Sequence, residues 1–264
     1  MRVLDLFCGK EGEDGLHGWS RAFAQRGHEV VTVDIDPAYH PTFAKDILDC
    51  GQVTFADLGP FDVVLASPPC DHFSVASIYR NWKEVGEDHL EPISPAAEKA
   101  CEIVRHTLRL IDELKPRFWW LENPRAALRK MPFMRPYPRT TVSYCRYGLT
   151  MMKPTDIWGV WGSWTGRGCC RAGDPCHTAA PRGSHAPGTS QDPSKSAADR
   201  AVIPPLLSME VCLSAEADLG DRRMPLPTIP AGVGTWSRST REAARRPPPR
   251  RGRRARTLGA GPWP

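Results

Sequence analysis

At 264 residues the chain is long enough for one substantial domain with a small appendage. Its formal charge of +5 comes from one end: residues 221–264 carry eleven arginines against Asp221 and Glu242, while the first 220 residues hold 24 basic and 28 acidic side chains. That balance excludes a global positive field over the body, so any nucleic-acid groove must be a local patch.

The N-terminus opens straight into a strand-like run, with no basic or apolar leader, and no segment approaches 18 consecutive apolar residues. Secretion and membrane spanning are therefore not expected. Residues 2–7 predict a buried strand ending at Cys8-Gly9, followed by a glycine-punctuated loop to Gly18 and a helix over 19–25 stopped by Gly27. A second strand over 29–33 ends in Asp34-Ile35-Asp36-Pro37. A third over 62–66 ends in Ser67-Pro68-Pro69-Cys70. Apolar side chains at 100, 103, 104, 108, 110, 111 and 114 predict a helix over 96–114, begun by Ser94-Pro95 and ended by Pro116. The strand over 118–121 then ends in Glu122-Asn123-Pro124. Strands alternating with helices predict an α/β fold with a mostly parallel sheet and chemistry at the carboxyl ends of its strands.

After Tyr147 the periodicity decays. The chain reads as a catalytic core over 1–158, a small loop-rich insertion over 159–198, a short helix returning to the core over 199–219, and an Arg/Pro/Gly-rich disordered tail over 220–264. Trp158, Trp161 and Trp164 are expected to form a mini-core in the insertion rather than to stack on bases. Nine cysteines at irregular spacings suit reduced thiols better than a secreted disulfide framework. Cys169, Cys170, Cys176 and His177, with His185 beyond them, are spaced tightly enough to hold a structural Zn²⁺ in a segment of little apolar content. They match no paired Cys-x-x-Cys signature, and free thiols in a loop are the alternative.

Cys70 and Glu122 carry the chemistry. Each closes a short apolar strand, so both fall at the same edge of the sheet. Cytosine C5 is a poor nucleophile, but a thiolate added at C6 turns the ring into an enamine whose C5 attacks an electrophilic methyl group. A buried carboxylic acid can protonate N3 and stabilise that adduct. The target atom cannot be reached in a stacked duplex, so the base must be flipped out. Taken alone, Cys70 would as readily be an inert buried thiol.

The order Asp5-Leu6-Phe7-Cys8-Gly9, Val33-Asp34-Ile35-Asp36, Asp46-Ile47, Ser67-Pro68-Pro69-Cys70 and Glu122-Asn123-Pro124 resembles the cytosine-C5 DNA methyltransferase family. It is most similar to the short phage-type or orphan members, over about residues 3–158 with a fainter return at 199–213. The resemblance implies a Rossmann-like fold that binds S-adenosylmethionine. Phe7 would pack on the adenosine and the backbone of Cys8 to Gly12, Gly9 included, would line the methionine part. Asp34 would bind the ribose and Asp46 the adenine amino group, with Asp5, Ile35, Ile47, Ser67 and Pro69 completing the cofactor side. Cys70 would be the nucleophile and Glu122 the acid at N3. Pro68, Asn123, Pro124 and Lys153 would face the substrate.

Three departures stand out. The glycine loop is long and carries Glu11, Glu13 and Asp14. The family's Gln-x-Arg-x-Arg segment is replaced by Tyr144-Cys145-Arg146-Tyr147-Gly148, which leaves Arg146 as the base or phosphate contact. The recognition region is small, which favours a short or relaxed DNA site. The implied setting is a monomer acting on double-stranded DNA in the cytoplasm of a bacterial or phage-infected cell, in phage biology or restriction–modification. A tRNA cytosine-5 methyltransferase, an amino-methyltransferase acting on cytosine N4 or adenine N6, and a catalytically dead DNA-binding relic are the alternatives.

Truncation after Leu219 is expected to leave catalysis intact. A large loss of DNA affinity at low salt, read by fluorescence anisotropy, would instead mark the basic tail as a binding arm.

Overall fold

The computed structural model describes residues 1–171, 173–178 and 201–220, all within the unit Met1–Pro230. Its frame is a seven-stranded sheet in the order β3-β2-β1-β4-β7-β9-β8. Five strands run parallel: β1 (Arg2–Leu6), β2 (Glu29–Asp34), β3 (Phe43–Ala44), β4 (Val63–Ala66) and β7 (Phe118–Pro124). β8 (Arg139–Ser143) and β9 (Pro154–Val160) extend the sheet antiparallel beyond β7. β5 (Trp82–Gly86) and β6 (His89–Pro92) form a separate hairpin.

β4 is buried along its whole length, and β7 is buried through Asn123. Such strands read as continuous apolar runs because both faces of a parallel sheet are covered. The strand order reverses between β1 and β4, which opens a crevice outside their carboxyl ends. The α/β architecture with a mostly parallel sheet expected from the alternation is the one observed.

Four α-helices lie among the described residues. α1 (Arg21–Gln25) and α2 (Ile78–Asn81) are short. α3 (Pro95–Leu114) starts with the Ser94 hydroxyl accepting from Ala97 N–H at 3.2 Å and Pro95 in the first turn. It ends at Lys115, whose left-handed backbone lets the chain reverse into β7. α4 (Pro205–Gly220) is the predicted returning helix, starting six residues later than expected. It buries Leu207, Val211, Cys212 and Ala215 against Trp19, Ala22 and Phe23, in the same core as Val3, Val63 and Trp120. The Ser208 hydroxyl accepts from Ala22 N–H at 3.1 Å and donates to the Trp19 carbonyl at 2.8 Å. On the rim, Arg26 grips Glu216 through two bonds of 2.8 and 2.7 Å.

The structure corrects the reading of 147–167. β9 is a central strand of the sheet, and Trp158 is a core residue within it. Trp161 and Trp164 meet edge-to-face at 5.7 Å and pack onto the main core rather than forming one of their own. Glu210 of α4 holds this stretch, accepting from Trp164 Nε1 at 3.1 Å and Arg167 Nε at 2.7 Å. No helix among the described residues is long and apolar enough to cross a membrane. Residues 221–264 of the expected tail and all of 179–198, including His185, lie outside the described residues, while Gly220 ends α4.

Ser208→Ala should cost about 1–3 kcal/mol in urea unfolding, because it strips a buried N–H and a buried carbonyl of their shared partner.

Candidate active site

Four strand ends, those of β1, β2, β4 and β7, converge at the crevice. After β1 the chain turns sharply at Phe7 and Gly9, with φ of 64° and 68°. The Phe7 and Cys8 amides both donate to the Val33 carbonyl at 2.8 and 3.1 Å, and the Gly9 amide donates to Asp34 Oδ2 at 2.9 Å. The other Asp34 oxygen accepts from Asp36 N–H at 3.0 Å. The carboxylate at the end of β2 is thus fixed against the glycine turn while remaining half-buried. Beside it Ile35 is 67 % exposed, a large apolar side chain left open at the crevice mouth. A side chain added at Gly9 would meet nothing within 4 Å, so the space in front of that turn is open. An acid for a ribose diol, an apolar face for adenine and room along a glycine turn are what S-adenosylmethionine needs there, and these residues fit it.

The other expected cofactor contacts divide. Asp46 is half-buried and accepts from Leu48 N–H at 2.9 Å, capping a short turn. Ile47 is a core residue. Asp5 is fully buried beneath the turn and takes the Ser20 hydroxyl at 2.6 Å; burial pushes its carboxyl up to about 7 despite that bond. It therefore positions the loop from below. Cys8 is also buried, and burial drives its thiol upward. Gly12 closes the long loop on itself, donating to the Leu16 carbonyl at 2.9 Å. Two of that loop's acids are paired, Asp14 with Arg21 at 2.6 Å and Glu11 with His40 at 3.1 Å.

On the other side of the crevice, Ser67 N–H donates to the Leu6 carbonyl at 3.1 Å, which starts the Ser67-Pro68-Pro69-Cys70 turn. Asn123 Nδ2 donates to the Pro68 carbonyl at 3.0 Å, tying this turn to the end of β7. The Cys70 carbonyl accepts from Phe73 and Ser74 N–H at 3.0 and 2.9 Å. Phe73 is fully buried and stacks on Trp82 at 5.3 Å, so the turn is anchored on both sides of the cysteine.

Glu122, next to Asn123, is buried and accepts from the Tyr144 hydroxyl at 2.8 Å. The Lys153 ammonium stands 3.9 Å from the same carboxylate oxygen and 4.6 Å above the Tyr144 ring. Burial raises the Glu122 carboxyl above its ordinary range, with Lys153 and Tyr144 opposing. Burial, then Glu122, pushes the Cys70 thiol up to about 11, with Lys153 again opposing. This corner holds a thiol, a carboxyl group biased toward its acid form and one cation acting on both.

Arg146 does not join them. Its side chain is exposed and points toward Asp174 at 4.0 Å, while Lys153 occupies the basic position beside Glu122. Tyr144 and Asp156 were not singled out in the sequence. Asp156 is fully buried on β9, accepting from Thr141 at 2.7 Å and pairing with Arg129 at 3.0 Å. No sequence signal marks either residue, because each depends on strands whose polar members hide their burial. A cavity of about 460 Å³ lies elsewhere, lined by Arg129, Arg135, Tyr137, Arg139 and Trp158 among others; none of the crevice residues lines it.

The four grouped sulfur and nitrogen donors differ from expectation in one member. Cys170, Cys176 and His177 come together with Cys145, not with Cys169. Successive side chains of an extended chain point to opposite sides, and Cys169 turns outward to the Thr141 carbonyl at 3.4 Å.

A doubly wound sheet with a glycine turn and acid on one side of the switch point, and a thiol with a carboxyl group on the other, defines an α/β methyltransferase of Rossmann-like fold. Residues 1–131 match the family model described as C-5 cytosine-specific DNA methylase. A probable DNA (cytosine-5)-methyltransferase of Frog virus 3 (isolate Goorha) is 36 % identical over 169 residues, spanning 60 % of this chain and 70 % of that protein. The chain belongs to the C-5 cytosine-specific DNA methylase family.

Solved structures similar to it include a putative DNA modification methyltransferase encoded in an E. coli prophage (18 % identity, TM-score 0.41, 60 % of this chain and 46 % of that one). Another is Entamoeba histolytica EhMeth (12 % identity, TM-score 0.44, 65 % and 57 %). A third is the S. pombe Dnmt2 methyltransferase (19 % identity, TM-score 0.39, 63 % and 53 %). The chain spans about half the length of these three.

Lys153→Gln should raise the alkylation midpoint of Cys70, because the ammonium opposes the upward push of burial on that thiol. Iodoacetamide labelling of Cys70 at pH 8, followed by mass spectrometry, should slow about 3–10-fold, the effect of half to one pK unit. Arg146→Gln should leave labelling unchanged.

Proposed function

We propose that this chain methylates C5 of cytosine in double-stranded DNA through a transient covalent bond from Cys70 to C6. The observation that carries the reading is the Asn123-to-Pro68 hydrogen bond, which holds the Cys70 turn against Glu122 on the adjacent strand. A flipped cytosine entering between them would present C6 to the thiol and N3 to the carboxyl group. Asp34, Ile35 and the Phe7–Gly9 turn would hold S-adenosylmethionine, which when bound supplies an electrophilic methyl group to C5. Asp46 is proposed for the adenine amino group.

The elevated pKa values of both groups give the reaction its proton logic. With the thiol up at about 11 the sulfur keeps its proton at neutral pH, and burial makes Glu122 a readier proton acceptor than a free carboxylate. Adduct formation moves that proton, in effect, from sulfur to N3 by way of Glu122. The pair is competent only while it holds one proton in total, which defines a bell-shaped profile. Protonation of Glu122 sets the acid limb, and loss of the Cys70 proton sets the alkaline limb. Lys153 lowers both pKa values, and Tyr144 fixes the rotamer of the Glu122 carboxyl group. After transfer, loss of the C5 proton expels Cys70 as thiolate, and N3 returns its proton to Glu122. The chain is taken to act as a monomer in the cytoplasm of a bacterial or virus-infected cell.

Nucleoside mass spectrometry of mixed-sequence DNA incubated with the protein and S-adenosylmethionine should find 5-methylcytosine, absent with Cys70→Ala. Glu122→Gln should cost about 10²–10⁴-fold in rate and abolish the acid limb. N4-methylcytosine, N6-methyladenine, or product on RNA alone would overturn the assignment.

A further inference from the structure

The geometry points to a structural Zn²⁺ site made by Cys145, Cys170, Cys176 and His177, outside the catalytic crevice. All four donor atoms lie within 4.8 Å of one another. Tetrahedral zinc, with Zn–S of about 2.3 Å and Zn–N of about 2.0–2.1 Å, requires S···S edges of about 3.8 Å and S···N edges of about 3.6 Å. The Cys176–Cys145 edge is 3.6 Å, Cys176–His177 Nδ1 is 3.5 Å and Cys170–His177 Nδ1 is 3.7 Å. Cys145 and Cys170 stand closer, at 3.1 Å, and must open by about 0.7 Å around an ion. That separation is still well beyond the roughly 2.05 Å of a disulfide bond. A disulfide between those two would also leave Cys176 and His177 converging on nothing.

The backbone builds the site from both sides. Ser143 N–H donates to the Gly168 carbonyl at 3.1 Å, and the Ser143 hydroxyl accepts from Cys170 N–H at 3.2 Å. At the far end Thr178 N–H donates to the Thr150 carbonyl at 2.9 Å. The segment 168–178 is therefore pinned across the turn that carries Cys145. Its sequence, Gly-Cys-Cys-Arg-Ala-Gly-Asp-Pro-Cys-His-Thr, has almost no apolar side chain to hold it there. A metal supplies what such a segment cannot obtain by burial. Three thiolates and an imidazole select zinc over Mg²⁺ or Ca²⁺, which take oxygen ligands. Four protein ligands leave no open position, so the ion is structural and not catalytic.

The site has a direct line to the crevice. Cys145 follows Tyr144, the residue that donates to Glu122. Coordination of Cys145 fixes the turn from which Tyr144 reaches that carboxyl group. This link rests on the proposed role of Glu122, whereas the metal site itself does not.

The test is metal analysis of the full chain, expressed with zinc, purified under reducing conditions and dialysed against a weak chelator. About one zinc per chain is expected, falling below about 0.2 in Cys145→Ser and in Cys176→Ser, given how tightly structural sites retain zinc. Cys169→Ser and Cys70→Ala should keep the full equivalent, and Cys70→Ala does so whether or not the chain methylates DNA. Should the ligand variants fail to fold, Co²⁺-substituted wild type provides the readout, with intense visible absorption for tetrahedral thiolate-rich coordination. Zinc below about 0.2 equivalents in wild type, a weak octahedral Co²⁺ spectrum, or a Cys145–Cys170 disulfide in the purified protein would overturn the assignment.

Discussion

The buried hydrogen bond from Asn123 to the Pro68 carbonyl is the constraint on which the crevice depends. β4 and β7 are adjacent and in register, Ala66 opposite Leu121, yet adjacency alone leaves the two loops beyond them free to splay. Proline at 68 and 69 stiffens one loop by fixing φ, and it removes two N–H donors from that loop. The carbonyl of Pro68 then needs a donor from outside its own segment. Asparagine supplies one; aspartate, an acceptor at neutral pH, would place two acceptors face to face at a fully buried position. The net value of such a bond is only about 0.5–1.5 kcal/mol, but leaving the carbonyl bare costs about 1–3 kcal/mol. Its larger effect is geometric, since it fixes how far the sulfur stands from the carboxyl group.

The electrostatics of this corner follow from burial. Enclosure disfavours both the thiolate and the carboxylate, and each would raise the other further if both were charged. One lysine at 3.9 Å moderates the pair without neutralising it outright. Tyr144 adds a donor on the same carboxylate oxygen, drawn from a turn on the far side of the sheet edge.

Much of this was legible in the sequence. β1, β2, β4 and β7 are short apolar runs bounded by punctuation, and their motifs fall at the ends where a parallel sheet presents ligands. β8 and β9 were not legible. β9 contains Thr155 and Asp156, both fully buried, and Gly159, so its composition mimics a loop. Arg129 and Thr141 partner the buried Asp156, and neither contact is visible in a linear reading. Lys153, expected on the substrate side, reaches Glu122 through a left-handed backbone step, whereas Arg146, expected as a base or phosphate contact, is exposed beside Asp174. Cys145 was missed as a partner of Cys170 for a similar reason. Twenty-five residues separate them, and sequence spacing reveals only the local half of such a cluster.

The docking of α4 on α1 has a consequence for how the protein is made. Ser208 closes onto Ala22 across 186 residues of chain, and Leu207, Val211 and Ala215 form one wall of the core around Trp19 and Phe23. At about 5–20 residues per second, that wall leaves the ribosome roughly 10–40 s after the residues it covers. During that interval the nascent sheet carries a bare aromatic face, and the glycine turn above it rests on a helix with no backing. The order of synthesis thus delays the completion of the N-terminal crevice until α4 has been made.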